Sequence, residues 1–167
     1  MNRRSRGLTV IELMVTIAVA AILAGVAFPN MSDFIDRQRL VAQTLAISEL
    51  AQTARSEAIK RTGSGGHDAR LVTMTITPGA SWSVALTGKP NTVTATQCEG
   101  CSMTEPTTAG AVVFDFRGIV RSTTVNDTKV TLASPKGKKL SVLFSRLGSI
   151  TVCSPDSSVT GYRPCGN

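Results

Sequence analysis

Histidine and aromatic residues are scarce in this 167-residue chain, which has one His, one Trp, one Tyr and five Phe. The single histidine, His67, lies in a polar, glycine-rich stretch and reads as a solvated loop residue. A metal site built on several histidines is thereby excluded, and neither Ser64 nor Ser81 near it sits in a nucleophile motif. No phosphate-cradling glycine loop of the P-loop type is present, and no repeat or low-complexity segment appears. These absences leave no catalytic constellation and imply no cofactor, so the chain does not read as an enzyme. Charge is missing too, but only locally: from Leu13 to Phe28 there is no ionisable side chain.

That uncharged run belongs to the most informative segment. A basic leader (Arg3, Arg4, Arg6) is followed by Gly7, then by Leu8-Thr9-Val10-Ile11-Glu12, and the apolar stretch ends at Phe28 just before Pro29. Residues 8–28 would span about 31 Å as a helix, the thickness of a bilayer's hydrocarbon core. A carboxylate such as Glu12, one turn into that segment, costs about 2.5–3.5 kcal/mol on insertion scales unless it is paired or hydrated. Its cation must come from the leader side, from a new amino terminus or from another subunit, because none lies between Leu8 and Phe28. Cleavage after Gly7 would create such an amine on Leu8. An ordinary secretory signal ending near Ala27 is the plain alternative. Glu12 inside the apolar region, and a helical pattern that continues past the cut, weigh against it.

The segment Gly7-Leu8-Thr9-Val10-Ile11-Glu12-Leu13 resembles the type IV prepilin signature. The resemblance implies that a prepilin peptidase cuts between Gly7 and Leu8 and that the new Leu8 terminus is N-methylated. It also implies that Glu12 sets subunit register during assembly and that Pro29 kinks the helix. The family usually has Phe after the cut, where this chain has Leu8.

Downstream of Asn30, apolar residues Phe34, Ile35, Leu40, Val41, Leu45, Ile47, Leu50, Ala51, Ala54, Ala58 and Ile59 recur mostly at three- and four-residue steps, with Arg37, Gln38, Gln43, Gln52 and Lys60 between them. This spacing predicts an amphipathic helix over about residues 31–61, stopped by the glycine-rich segment that follows. Period-two runs then predict strands at 71–76, 82–86, 92–96, 111–116, 119–121, 129–133, 140–144 and 149–152, separated by turn residues. The expected fold class is α+β, a type IV pilin-like arrangement in which a long N-terminal helix packs on an antiparallel β-rich head. Its expected division is a leader at 1–7, a transmembrane and assembly helix at 8–28, an amphipathic helix at 29–62 and a head at 63–167. The leader arginines predict a cytoplasmic N-terminus, with the head on the outer side of the inner membrane.

Ala54-Arg55-Ser56-Glu57-Ala58-Ile59-Lys60-Arg61, Phe114-Asp115-Phe116-Arg117-Gly118 and Leu147-Gly148-Ser149-Ile150 are similar to the minor pilins and pseudopilins grouped as GspH/FimT, which include FimU. In that family the expected function is a minor pilin, a structural subunit that primes or caps a pilus and connects other minor pilins to the major pilin. A type II secretion pseudopilin and a DNA receptor for transformation are the alternatives. The four cysteines form two sequence-local pairs, and in an exported domain locality favours Cys98–Cys101 and Cys153–Cys165 among three pairings. Cys98-Glu99-Gly100-Cys101 admits a redox pair or half a zinc site as well, without the helix and βαβ surroundings that redox use requires.

The charge balance bears on DNA. Eighteen Lys and Arg face eleven Asp and Glu; without the three leader arginines this is 15 against 11, or +4, and +5 when Glu12 is set aside. Such an excess suits phosphate contact without sequence readout. DNA-binding members of the resembled family carry Gly-Arg-x-Arg in a C-terminal loop, where this chain has Gly161-Tyr162-Arg163-Pro164. Lys136, Lys138, Lys139, Tyr162 and Arg163 are the candidate contacts with double-stranded DNA. The plain alternative is that residues 135–139 form a solvated hairpin turn and that Tyr162 packs near the C-terminal disulfide.

Overall fold

A computed structural model of the chain describes residues 9–61, 71–122 and 129–166, with backbone alone for 26–30 and Ser122. Gly7, Leu8 and His67 lie outside these residues. The chain divides into two compact units, Met1–Ile35 and Asp36–Asn167.

In the first unit, the helix α1 (Val10–Lys60) begins at a side-chain cap. Thr9 Oγ1 accepts from the backbone N–H of Glu12 at 3.3 Å, and Thr9 O accepts from Leu13 N at 3.2 Å. Thr9 supplies the N-cap half of a Thr-x-x-Glu pattern, with Glu12 in the first turn, where helix polarity favours negative charge. The large apolar side chains described in this unit are exposed, from 41 % at Ile35 to 78 % at Val10. Helicity continues through Pro29. Among the described residues no helix is long and apolar enough to cross a membrane. Of the run 8–28, side chains are described for residues 9–25.

Among its described residues the second unit contains the remainder of α1 and nine strands in two antiparallel sheets. These are β1 (Val72–Thr77), β2 (Ser83–Leu86), β3 (Thr92–Thr94), β4 (Ser102–Glu105), β5 (Gly110–Phe114), β6 (Val120–Ser122), β7 (Lys129–Ala133), β8 (Lys139–Phe144) and β9 (Ile150–Cys153). One sheet has the order β3-β2-β1-β5-β6 and the other β4-β7-β8-β9. A single core cluster joins Leu40, Ile47, Ala51, Ala54 and Ala58 of α1 to Met74, Val84 and Phe114 of the first sheet and Leu140, Val142 and Phe144 of the second. The expected α+β architecture, a long N-terminal helix with an antiparallel β head, is the one observed.

Three details depart from the periodicity. The buried stripe of α1 takes in Gln43, Thr44 and Ser48, whereas Phe34, Ile35, Leu45 and Ile59 are exposed. The helix offers the core positions 40, 44, 47, 51, 54 and 58, and hydrophobicity alone does not pick that face out. Thr44 is accommodated because its hydroxyl donates to Leu40 O at 2.8 Å, while Gln43 Oε1 is buried with no hydrogen-bond partner. Next, the strand beginning at Thr92 stops at Thr94 and gives way to a single 3-10 turn, Ala95–Gln97, leading into Cys98. Finally, β4 was not anticipated. Only Met103 of its four residues is buried, and a register shift between Met103 and Glu105 obscures the alternation.

Three hairpins close with one repeated design. Asp115, Ser134 and Ser145 each accept through the backbone carbonyl from a glycine N–H three residues on, at 2.8, 3.0 and 2.8 Å. Each also donates its own N–H to the carbonyl four residues on, at 3.1, 2.8 and 2.9 Å. The glycines Gly118, Gly137 and Gly148 have φ of +74°, +77° and +81°, the left-handed position such three-residue loops require.

Candidate functional site

Two regions carry the residues singled out from sequence. The first is the start of α1. Glu12 is exposed, as are its neighbours Ile11 and Leu13, and its backbone N–H is taken up by the Thr9 cap. An exposed apolar helix with one carboxylate in its first turn is chemically suited to burial against other apolar helices, provided a cation meets the carboxylate.

The second region is one end of the head, where sequence-distant basic residues converge. Ser154 is the hub. Its N–H donates to Arg163 O at 2.9 Å, its hydroxyl donates to Lys139 O at 3.2 Å, and its carbonyl accepts from Cys165 N at 3.3 Å. Lys139 N in turn donates to Ser158 Oγ at 2.9 Å. These bonds hold the backbones of Lys139 and Arg163 to the same residue. Lys136 and Lys138 follow from the β7–β8 turn itself, in which Lys138 N donates to Ser134 Oγ at 3.2 Å. Residues 134–138 therefore form the hairpin turn named as the plain alternative, with Lys136 and Lys139 exposed and Lys138 half-buried. Tyr162 is partly buried and packs against the core cluster, while Arg163 is exposed.

Residues that sequence reasoning did not single out join this end. Arg37 Nη2 donates to Thr160 O at 2.6 Å, and Arg39 lies 3.8 Å from Glu99. A hydrogen bond from Ser158 outweighs the burial that would raise the Asp156 carboxyl, and Lys139 adds to the lowering of its pKa. Two arginines one turn before the core stripe of α1 were the available signal. Their convergence with residues 134–163 depends on long-range packing.

The disulfides are Cys98–Cys101 and Cys153–Cys165, with Cα–Cα distances of 5.4 and 5.0 Å. The first sits under Trp82, whose indole N–H donates to Cys101 O at 3.3 Å. The second fastens residues 154–165 beside the basic end. Across the second sheet a polar chain links Lys129 to Glu105 at 3.1 Å, Glu105 to the Thr131 hydroxyl at 2.6 Å, and Thr131 to Ser141 at 2.7 Å. Burial raises the Glu105 carboxyl, but the Thr131 and Lys129 hydrogen bonds, with the charges of Lys129 and Lys139, outweigh it and leave its pKa below the ordinary value.

Among the described residues no group of three or more His, Cys, Asp and Glu is placed to hold a metal ion. A surface groove of about 450 Å³ beside Trp82 is lined by Ser81, Ser83, Thr94, Thr96 and Glu99.

Comparison with known families bears on the N-terminus alone. No curated protein and no solved structure shows significant similarity to the chain. Residues 2–28 match the family described as the prokaryotic N-terminal methylation motif, and this match, with the long N-terminal helix and the antiparallel head, supports a type IV pilin-like subunit.

Proposed function

We propose that the chain is a minor type IV pilin of the GspH/FimT kind, a structural subunit that primes or caps a pilus and joins other minor pilins to the major pilin. The observation that carries this reading is an exposed apolar helix, opened by Thr9-Val10-Ile11-Glu12 within the methylation motif and followed by a β-rich head. In this reading residues 8–28 hold the precursor in the inner membrane, with the N-terminus cytoplasmic and the head outside. A prepilin peptidase removes residues 1–7 and Leu8 is methylated. Glu12 then pairs with the amine of a neighbouring subunit as the helices bundle, which offsets its burial and sets axial register. Pro29 lacks the N–H for an intrahelical bond, so it loosens the helix between the bundled and head-bearing parts. The mature mass tests the processing step: loss of seven residues plus one methyl group is expected, and a chain beginning near Phe28 would overturn the reading. Glu12→Ala should be processed yet fail to enter the pilus, and normal incorporation would remove the register role.

A second reading, a DNA receptor in transformation, draws on the convergence of Lys139 and Arg163 on Ser154 beside Lys136 and Lys138. Binding of double-stranded DNA to the full chain over a salt series, beside an Arg163→Ala/Lys138→Ala/Lys139→Ala variant, tests it. Salt-sensitive binding lost in the variant is expected on this reading, and no binding at low salt counts against it. A type II secretion pseudopilin would use the same helix-bundling physics, and piliation of a deletion strain separates the two.

A further inference from the structure

The basic end of the head has a position as well as a charge. Two separate routes of contact lead from the first residues of the head's helix to the β7–β8 turn. One runs from Arg37 to Thr160, then through Arg163 and Ser154 to Lys139. The other runs from Arg39 to Glu99, then from Gly100 to Pro135, whose side chain would lie 2.7 Å from a Cβ placed on that glycine. Arg37, Arg39, Lys136, Lys138, Lys139 and Arg163 therefore gather at the end of the head where the chain enters from the apolar segment. Carboxylates at this end, Asp36, Glu99 and Asp156 among them, offset these charges in part. The Arg39–Glu99 pair is surface-exposed and weakly held. The opposite end of the head, where Arg55 meets the Gly118 and Gly148 turns, lies about 27 Å along the helix from Arg37.

We propose that this basic end docks on the anionic phospholipid headgroups of the membrane that holds the chain's own apolar segment, keeping the unassembled subunit against the bilayer surface. The proposal rests on the membrane-anchored reading above. Eight residues separate Phe28 from Arg37, a tether no longer than about 30 Å even when fully extended. A link that short keeps the surface close to the bilayer, so a modest positive excess holds it there without a deep site. A lipid surface presents phosphate as a plane, which suits a shallow ring of lysine and arginine. Tyr162, the aromatic candidate for stacking on bases, is partly buried against the core.

The test uses the full chain in vesicles of phosphatidylcholine alone and in vesicles containing one-third phosphatidylglycerol. A water-soluble acylating reagent is applied, and mass spectrometry reads the modification rates of Lys136 and Lys139 relative to Lys60 and Lys89, which lie at or near the Glu57 end of the helix. Anionic lipid is expected to lower that ratio about fivefold, with recovery in high salt. An unchanged ratio in a chain that stays with neutral vesicles through an alkaline wash overturns the docking while leaving the anchor intact. Release from neutral vesicles by that wash overturns both. Double-stranded DNA added to chain in neutral vesicles is the remaining arm: protection by DNA but not by anionic lipid overturns the proposal in favour of nucleic acid.

Discussion

At the scale of single residues, Gly148 is the tightest of the described turn glycines in the head. It shares its φ with Gly118 and Gly137, but what surrounds the three differs. A Cβ on Gly148 would fall 1.8 Å from the Gly118 carbonyl oxygen, a backbone atom that cannot move aside. On Gly118 it would meet the ends of Ile59 and Arg55 at 2.9 and 3.0 Å, and on Gly137 it would meet nothing within 4 Å. Alanine at Gly137 should therefore cost only the left-handed backbone penalty, about 1–2 kcal/mol. Gly118→Ala should cost somewhat more, and Gly148→Ala at least about 3 kcal/mol, because the two turns must separate. Chemical denaturation of the three variants measures the order, and equal losses would show that the close approach of the turns contributes nothing. Glycine at all three positions was legible as turn chemistry, but the ranking was not, since it depends on which backbone lies opposite. Thr9 teaches the converse: the N-cap half of the Thr-x-x-Glu pattern that opens α1 is local and fully present in the sequence.

Elements were legible where their periodicity was clean. The helix ends at Lys60, within a residue of the expected boundary, and eight strand runs have counterparts in the head. β4 escaped because an edge strand needs only one buried side chain and its bulge breaks the alternation. The C-terminal segment 154–166 has almost no regular structure and is held by Ser154 and by Cys153–Cys165. In the chain-entropy treatment a loop of this length contributes about 3 kcal/mol, against about 2 for the short Cys98–Cys101 loop. Cys153→Ser should accordingly destabilise the head by about 1 kcal/mol more than Cys98→Ser, and should speed amide exchange at Val159 and Cys165. An unchanged denaturation midpoint for Cys153→Ser would mean that the Ser154 hydrogen bonds hold the segment unaided.

At the scale of the whole molecule, positive charge and lowered carboxylates act together. Glu105 and Asp156 have folded-state pKa values below their ordinary ones, so each contributes stability at neutral pH. That contribution is complete above the unfolded values of 4.5 and 3.8 and is lost as pH falls through the lower folded values. Protonation also raises a net charge that is already +5 without the leader and Glu12, so the head should lose stability below about pH 4.5. Glu105→Gln should flatten that profile, and thermal melts from pH 3 to 7 compare the two; superimposable profiles would show that the Lys129–Glu105–Thr131 chain is without consequence. The sequence by itself determined the apolar N-terminal segment with its carboxylate, the amphipathic helix, the antiparallel head and the local cysteine pairs. Each of these is written in a short stretch of chain, through periodicity, turn residues or nearest-neighbour spacing. Only the tertiary structure decided which face of the helix is buried, that two separate sheets share one core, and that Arg37 and Arg39 meet Lys139 and Arg163 at one end. Those outcomes depend on contacts between residues about a hundred positions apart, and no local pattern encodes the packing that selects them.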